Sequence, residues 1–467
     1  MPKAGPTRVM LHLGLGSFHR AHQAVYLQRL IETGDASWEV AAGNLRPDMA
    51  DTIEALIAQR GEYTLETVSP DGLRNYTRIR SIHRVVRHRP DLAGLIAIGA
   101  EPTTRILSFT VTEAGYYLDA KNRLDVAAPD VAADAAAARA GRPGSTIYGA
   151  LVAILRARMR GGAGPVTLLN CDNLRHNGDQ VRSGLAQFID HIGDAALRTW
   201  FDSHTTSPNA MVDRITPRPT QDVRERVKAA TGWDDATPVM AEAFIQWVIE
   251  DDFCAGRPSW QTVGVEMVPS VAPYEEAKIR ILNASHSGIA WAGTLRGMTY
   301  IHEGTHDPAI RRIAHDYVTD DVMPCLQPSP IDLAVYRDTV LERFGNRAIL
   351  DTNQRVAMDG FSKIPGFIAP TIRERMVRHE SIAGVAMLPA LFLAYLQRWH
   401  RGALPHVYQD QAMDIDAAHA ICAAADPVAA FAADRGLWGP LAGDATLLAA
   451  LRAASARVVR FVAGEAP

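Results

Sequence analysis

Leu11-His12-Leu13-Gly14-Leu15-Gly16-Ser17-Phe18-His19-Arg20 is the stretch whose reading decides the fold. Residues 9–13 are a short apolar run that reads as a buried strand, and residues 19–32 carry apolar positions at helical spacing. Between them, Gly14 allows a tight turn. Gly16 lets the backbone approach a pyrophosphate at a helix N-terminus, where unpaired N–H groups and the helix dipole favour an anion. The third glycine of the usual fingerprint is missing, and His19 stands in its place. A GxG pair is also found in ordinary tight turns, but its position between strand and helix at the start of an alternating pattern favours the nucleotide. Arg20 either pairs with phosphate or sits solvated on the helix surface. An acid at the tip of the second strand, roughly 20 residues past the glycines, would accept the ribose 2′-hydroxyl of NAD. Here the tip reads Ala41-Ala42-Gly43-Asn44-Leu45-Arg46-Pro47-Asp48, so Asp48 comes a few residues late and Arg46 is placed to accept a 2′-phosphate. The balance favours NAD over NADP.

Outward from this turn, strands at 38–42, 105–109 and 166–170 alternate with helices at 49–59, 145–160 and 178–192. Such alternation predicts a parallel sheet covered on both faces. Two prolines within residues 268–273 predict an extended connector. Beyond it the text is mainly helical, at 274–292, 310–318, 371–380 and 384–398. The expected architecture is α/β: a Rossmann-type dinucleotide-binding domain over residues 1–271, then a mainly α-helical substrate and catalytic domain over 272–467.

Composition narrows the function. With 47% hydrophobic and 21% charged residues the chain has the makeup of a globular protein with a sizeable core, and a net charge of −4 gives no reason to expect nucleic acid or an acidic membrane. Cys171, Cys254, Cys325 and Cys422 are far apart and form neither a disulfide framework nor a zinc cluster, so no metal is expected. Cys171 reads as a buried thiol at a strand end rather than a reactive one. Residues 1–7 are short and polar, and no stretch approaches the roughly 18 apolar residues of a membrane span. Alanine-rich residues 131–140 and 418–433, punctuated by Asp and Arg, read as surface helices. The expectation is a cytoplasmic protein.

Alcohol oxidation without a metal needs a base for the hydroxyl proton and a pocket for the developing alkoxide. Tyr274-Glu275-Glu276-Ala277-Lys278-Ile279-Arg280-Ile281-Leu282-Asn283-Ala284-Ser285-His286 supplies both. On a 3.6-residue period Asn283 lies about 140° and His286 about 80° from Lys278, so they line different sides of a cleft. Ile279, Ile281, Leu282 and Ile289 would strip water from the amine and make it a usable base near neutral pH. Asn283 would donate to the alkoxide. A polar helix with a solvated lysine is the alternative, and these residues alone leave it open. Asn173, at a strand end, is placed to be a second donor or a simple helix cap. Asp213 would accept from substrate hydroxyls or pair with Arg214.

Taken together these segments resemble the polyol-specific long-chain dehydrogenase/reductase family. The likeness runs in the family's order through residues 14–23, 110–116, 171–178, 212–217, 278–286 and 359–365. It implies that Lys278 is the general base, that Asn173 and Asn283 form the oxyanion pocket, and that His286, Asp213, Arg355 and Lys363 contact the polyol. Gly14, Gly16 and Phe18 would shape the NAD site, with Arg20 and Asp48 as further cofactor contacts. Glu275, about one turn before Lys278, offers a route for the proton to solvent. The family commonly has Asp-Gly-Ser-Ser-Lys where this chain reads Asp359-Gly360-Phe361-Ser362-Lys363, which changes that side of the pocket. A monomer acting on a small polyol or ketose is implied, without metal, nucleic acid or membrane. Ala41-Ala42-Gly43-Asn44 and Glu66-Thr67-Val68-Ser69-Pro70 favour the branch converting D-arabinitol to D-xylulose over the one converting mannitol to fructose. A hexuronate oxidoreductase, with Arg355 and Lys363 on the carboxylate, and a sugar sensor without turnover are the other readings.

Overall fold

The strand that leads into the glycine turn is β1, Arg8–Leu13, and it lies at the centre of a six-stranded sheet. The computed structural model describes residues 7–119 and 122–465, so of the polar opening at 1–7 only Thr7 falls within it. Along the chain the other strands of this sheet are β2 (Trp38–Gly43), β3 (Ile82–Val86), β4 (Thr104–Phe109), β5 (Val166–Asn170) and β6 (Thr205–Thr206). Their spatial order is β3-β2-β1-β4-β5-β6, and every neighbouring pair is parallel. That is the strand order of a dinucleotide-binding sheet, with the change of direction between β1 and β4. Alternation along β1 explains the burial on both faces: Val9, Leu11 and Leu13 join one apolar cluster and Met10 joins the other. The unit is α/β and Rossmann-type.

The chain divides into two compact units, Met1–Ser69 with Leu73–Ala272, and Pro273–Pro467 with Pro70–Gly72. The first unit carries two small sheets that the apolar pattern did not reveal. One joins Val239–Glu242, Tyr63–Val68 and Arg74–Ile79; the other joins Glu266–Val268, Gln246–Glu250 and Ala210–Asp213. Charged residues inside these strands hide the alternation. Glu66 is fully buried, and Arg74 and Arg226 neutralise it.

Several predicted elements come out differently. The helix expected at 19–32 is two helices, Ser17–Ala21 and Gln23–Glu32, broken at His22, whose ring Nε2 reaches the Gln246 carbonyl at 2.9 Å. The connector expected at 268–273 is not extended throughout. Val268 closes a strand, and Pro273 lies in the first turn of helix Ala272–Ala277, where its missing N–H has no intrahelical partner to lose. The alanine-rich segment at 418–433 splits at Asp426, which caps Pro427–Ala432 through the Ala429 N–H. Helix Pro129–Arg139 is not wholly superficial, since Val131, Asp134, Ala135 and Ala138 are buried.

The second unit is helical. Helix Ala284–Leu295 is buried along nearly its whole length and packs on Met387–His400, where Gly288 leaves room for Leu388. Among the described residues three π-helical turns interrupt the α-helices, at Lys278–Asn283, Tyr317–Val322 and Ile364–Ile368. Among the described residues no helix is long and apolar enough to cross a membrane.

One buried cation braces the sheet. Arg158, fully buried in helix Ile147–Gly161, donates to the carbonyls of Gly99 (2.7 Å), Glu101 (3.0 Å), Ala163 (3.2 Å), Gly164 (3.0 Å) and Pro165 (3.1 Å). These carbonyls belong to the loops that lead into β4 and β5, so the side chain fixes where both strands begin. Arg158→Met leaves them unpaired and is expected to cost about 3 kcal/mol of stability or more, read from urea unfolding. A cost under about 1 kcal/mol would mean that water replaces the guanidinium there.

Candidate active site

The glycine turn is clamped from β2. The Gly14 N–H donates to the Gly43 carbonyl at 2.9 Å, and the Leu15 N–H donates to Asn44 Oδ1 at 2.6 Å. Gly14 has φ +113°, and a Cβ there would sit 2.2 Å from the Thr110 carbonyl oxygen, so only glycine fits. At Gly16 the reverse holds: the nearest atom to an added Cβ is 3.9 Å away, and this open face fronts the start of helix Ser17–Ala21. Gly16 caps that helix without a side-chain bond. The first-turn N–H groups thus keep the capacity to meet an anion, and the turn fits a pyrophosphate.

Under the turn lies a group that the sequence reading missed. His12 Nε2 is 3.2 Å from the Gly14 carbonyl, and Nδ1 is 2.9 Å from Ser108 Oγ. Its ring stacks on His19 with centroids 3.5 Å apart. Burial pushes His12 down to about 3 and His19 well below the usual histidine range, so both rings are neutral. A neutral His12 satisfies both contacts only by donating from Nε2 to Gly14 and accepting at Nδ1 from Ser108. His19, the residue in place of the third glycine, faces inward onto this ring. The signal was available as a polar residue inside an apolar strand.

Phe18 is half-buried and stacks on His22 at 5.0 Å. Arg20 is a correction: it is buried, not solvated, and its Nη1 donates to the Thr237 carbonyl at 2.6 Å and to Thr237 Oγ1 at 2.8 Å. Its charge stays inside the fold, over the Tyr63 ring, instead of facing a phosphate. Asp48 is exposed on the short turn Pro47–Met49.

At the end of β5, Asn173 is exposed between two anchored neighbours. The Asp172 carboxylate accepts from Val111 N–H (2.9 Å), Thr112 N–H (3.0 Å) and the Tyr116 hydroxyl. The Asn177 side chain donates to the Ala210 carbonyl at 2.7 Å and accepts from its N–H at 2.9 Å. Cys171 is buried, and burial pushes its thiol up, which suits the structural reading. Asp213 is buried at the end of strand Ala210–Asp213. Arg214 turns away from it, donating to the carbonyls of Glu242 (2.8 Å) and Ala21 (2.5 Å).

In the helical unit, Glu275 and Lys278 are buried and Asn283 is half-buried. The 3.6-residue arithmetic is corrected here, because Lys278–Asn283 is a π-helical turn. A turn closed from i to i+5 sets residues five apart above one another, and Lys278 and Asn283 are that pair. Arg280 holds the turn: it donates to Glu276 at 2.8 Å and to both oxygens of Glu374, while the Tyr317 hydroxyl donates to the Arg280 carbonyl at 2.9 Å. His286 follows, stacked on Phe344 at 4.4 Å, with Nε2 3.4 Å from Asp351 Oδ2. Burial pushes His286 down and Asp351 partly restores it. Burial also pushes the Asp351 carboxyl up, but His286 and Arg355 outweigh this and hold it far below the usual range. Arg355 is exposed and donates to Asp351 from Nε at 2.7 Å. Asp351 therefore links two predicted site residues. Lys363 Nζ donates to the Val356 carbonyl at 2.6 Å, and Phe361 packs edge-on against Phe392.

Comparison with known proteins gives the family. Residues 8–262 match the mannitol dehydrogenase Rossmann domain, and residues 270–459 match the mannitol dehydrogenase C-terminal domain. The D-arabinitol 4-dehydrogenase of Ralstonia nicotianae is 62% identical over 453 residues, 96% of each chain. That of Klebsiella pneumoniae is 54% identical over 452 residues, 97% of this chain and 98% of its own. Among solved structures, the ternary complex of Pseudomonas fluorescens mannitol 2-dehydrogenase with NAD and D-mannitol superposes with a TM-score of 0.83 at 32% identity, covering 99% of this chain and 94% of that one. The chain belongs to the mannitol dehydrogenase family and is an oxidoreductase acting on a CH–OH group.

Burial lowers Lys363 from the ordinary lysine value of 10.5 to about 8. Between these values the unfolded chain binds the proton that the folded chain does not. The stability tied to this amine is thus full above 10.5 and is lost as pH falls to about 8. Lys363→Met should gain in unfolding temperature relative to wild type as pH is lowered across that window. A gap that does not change with pH would mean that this lysine titrates as an ordinary one.

Proposed function

We propose that this enzyme oxidises a secondary hydroxyl of an open-chain polyol to a ketone with NAD as acceptor, and that D-arabinitol to D-xylulose is its reaction. The observation that carries the chemistry is a buried lysine, Lys278, held on a π-helical turn with Asn283 five residues on. Identity of 62% with a D-arabinitol 4-dehydrogenase, against 39% with a mannitol 2-dehydrogenase, supports the pentitol. NAD, when bound, supplies the acceptor for the hydride leaving the carbinol carbon.

The protein's own residues handle the proton and the charge. Lys278 Nζ takes the hydroxyl proton, Asn283 donates to the oxygen as negative charge develops, and we assign Asn173 the same task. Glu275, buried three residues before the lysine, passes the proton onward. His286, Asp213, Arg355 and Lys363 hold the remaining hydroxyls, and the approach of Asp351 orients His286. Gly14, Gly16 and Phe18 form the cofactor turn. In this reading the enzyme works as a cytoplasmic monomer on small molecules, with neither nucleic acid nor membrane as partner.

Because a base that acts only in the transition state does not contribute to cofactor affinity, Lys278→Ala is expected to lower kcat by about a thousandfold while NADH affinity stays within about twofold. A parallel loss of NADH binding would contradict the role. Since the lysine takes the place of a metal-bound base, EDTA is expected to leave turnover unchanged; loss restored by added zinc would overturn that part. In a panel with NAD and NADP, D-arabinitol should exceed mannitol and a hexuronate in kcat/KM. Should NADH bind while no polyol reduces NAD to give near-ultraviolet absorbance, the sensor reading gains over turnover.

A further inference from the structure

Beyond the carboxyl ends of β2 and β3 the first unit has a cleft of about 450 Å³, whose walls include Leu45, Arg46, His88, Asp130, Gly144 and Ser145. Leu45 comes two residues after β2 and His88 two residues after β3. In a sheet of this strand order, the adenosine half of a dinucleotide lies on this side of the glycine turn. Its ribose diol asks for a carboxylate. The tip of β2 has none: Asn44 is committed to the Leu15 N–H, and Asp48 is not among the walls of the cleft.

A carboxylate does reach the cleft from another element. Asp130, in the first turn of helix Pro129–Arg139, accepts from the Tyr117 hydroxyl at 2.6 Å and lies 3.5 Å from Arg46 Nη2. Arg46 also donates to the Tyr117 hydroxyl at 3.2 Å. Both ionic side chains are more than half exposed, so the pair adds little to stability and is open to a ligand.

We propose that Asp130 is the residue that selects NAD over NADP, accepting from the ribose 2′-hydroxyl and withholding Arg46 from a 2′-phosphate. The inference rests on the dinucleotide reading of the glycine turn. A 2′-phosphate brings a charge of about −1.5 to −2 beside Asp130 and must break the Asp130–Arg46 pair before the guanidinium can serve it. A 2′-hydroxyl gains an acceptor and disturbs nothing. Selectivity is then a difference between a repelled ligand and a paired one.

The test is equilibrium binding of NADH and NADPH, followed by fluorescence, to the full chain. Wild type is expected to favour NADH by about tenfold or more, and Asp130→Ala to reduce that preference at least about tenfold by weakening NADH and strengthening NADPH. Adding Arg46→Ala to that variant should remove the NADPH gain without further loss of NADH. An unchanged ratio in Asp130→Ala, with wild-type preference for NADH intact, overturns the proposal and leaves the cofactor reading standing. The same shift from Asp48→Ala would also overturn it. Failure of wild type to bind either nucleotide would instead remove the dinucleotide reading and this inference with it.

Discussion

The chemistry proposed for the helical unit rests on one wide turn of helix, Lys278–Asn283. A π-helical turn is rare because it closes five residues on with poorer packing, and it persists only where its surroundings hold it. Here Arg280, between Glu276 and Glu374, and the Tyr317 hydroxyl on the Arg280 carbonyl provide the hold. The result brings Lys278 and Asn283 to one face, which a regular α-helix would have set well apart. The proposed base and amide donor thereby share one helical element, and the distance between them does not depend on loop motion. His286, one α-helical turn beyond Asn283, is then fixed separately by Phe344 and Asp351.

The dinucleotide side follows a different logic, in which backbone groups face the ligand and buried side chains position the backbone. Asn44 just after β2, Thr110 just after β4 and the neutral His12 beneath all reach the short turn at Gly14 and Leu15. Each contact comes from the end of, or within, a different strand of the parallel sheet, so the turn inherits the rigidity of the core. His19 in the fingerprint's third position is no defect, because its ring fills the space over His12. Buried arginines do similar work elsewhere. Arg20, Arg158 and Arg214 all serve carbonyls of segments distant in sequence.

Much of this architecture was legible in the residues. Strand Val166–Asn170 stood out because a strand buried on both faces carries no charged residue and little polar alternation, and the alternation of such segments with helical periods pointed to the parallel sheet. The small sheets were hidden because Glu66 and Glu242 are buried inside strands, and a buried charge with its partner far along the chain looks like surface in a linear text. Arg20 was misjudged for the same reason, since its partner Thr237 lies 217 positions away. The text around Lys278 offered the candidate residues, but no 3.6-residue pattern encodes the π-helical turn that carries them. Asp351 was missed because only folding brings it to His286, 65 positions away.

Everything in the catalytic reading depends on a lysine amine acting as the proton acceptor. The most direct measurement is the pH dependence of kcat/KM for D-arabinitol oxidation, wild type against Lys278→Met. The account requires wild-type activity to fall as pH is lowered because the base becomes protonated, and this acid limb to vanish in the variant along with most of the rate. A variant that keeps both the limb and a rate near that of wild type would place the base elsewhere.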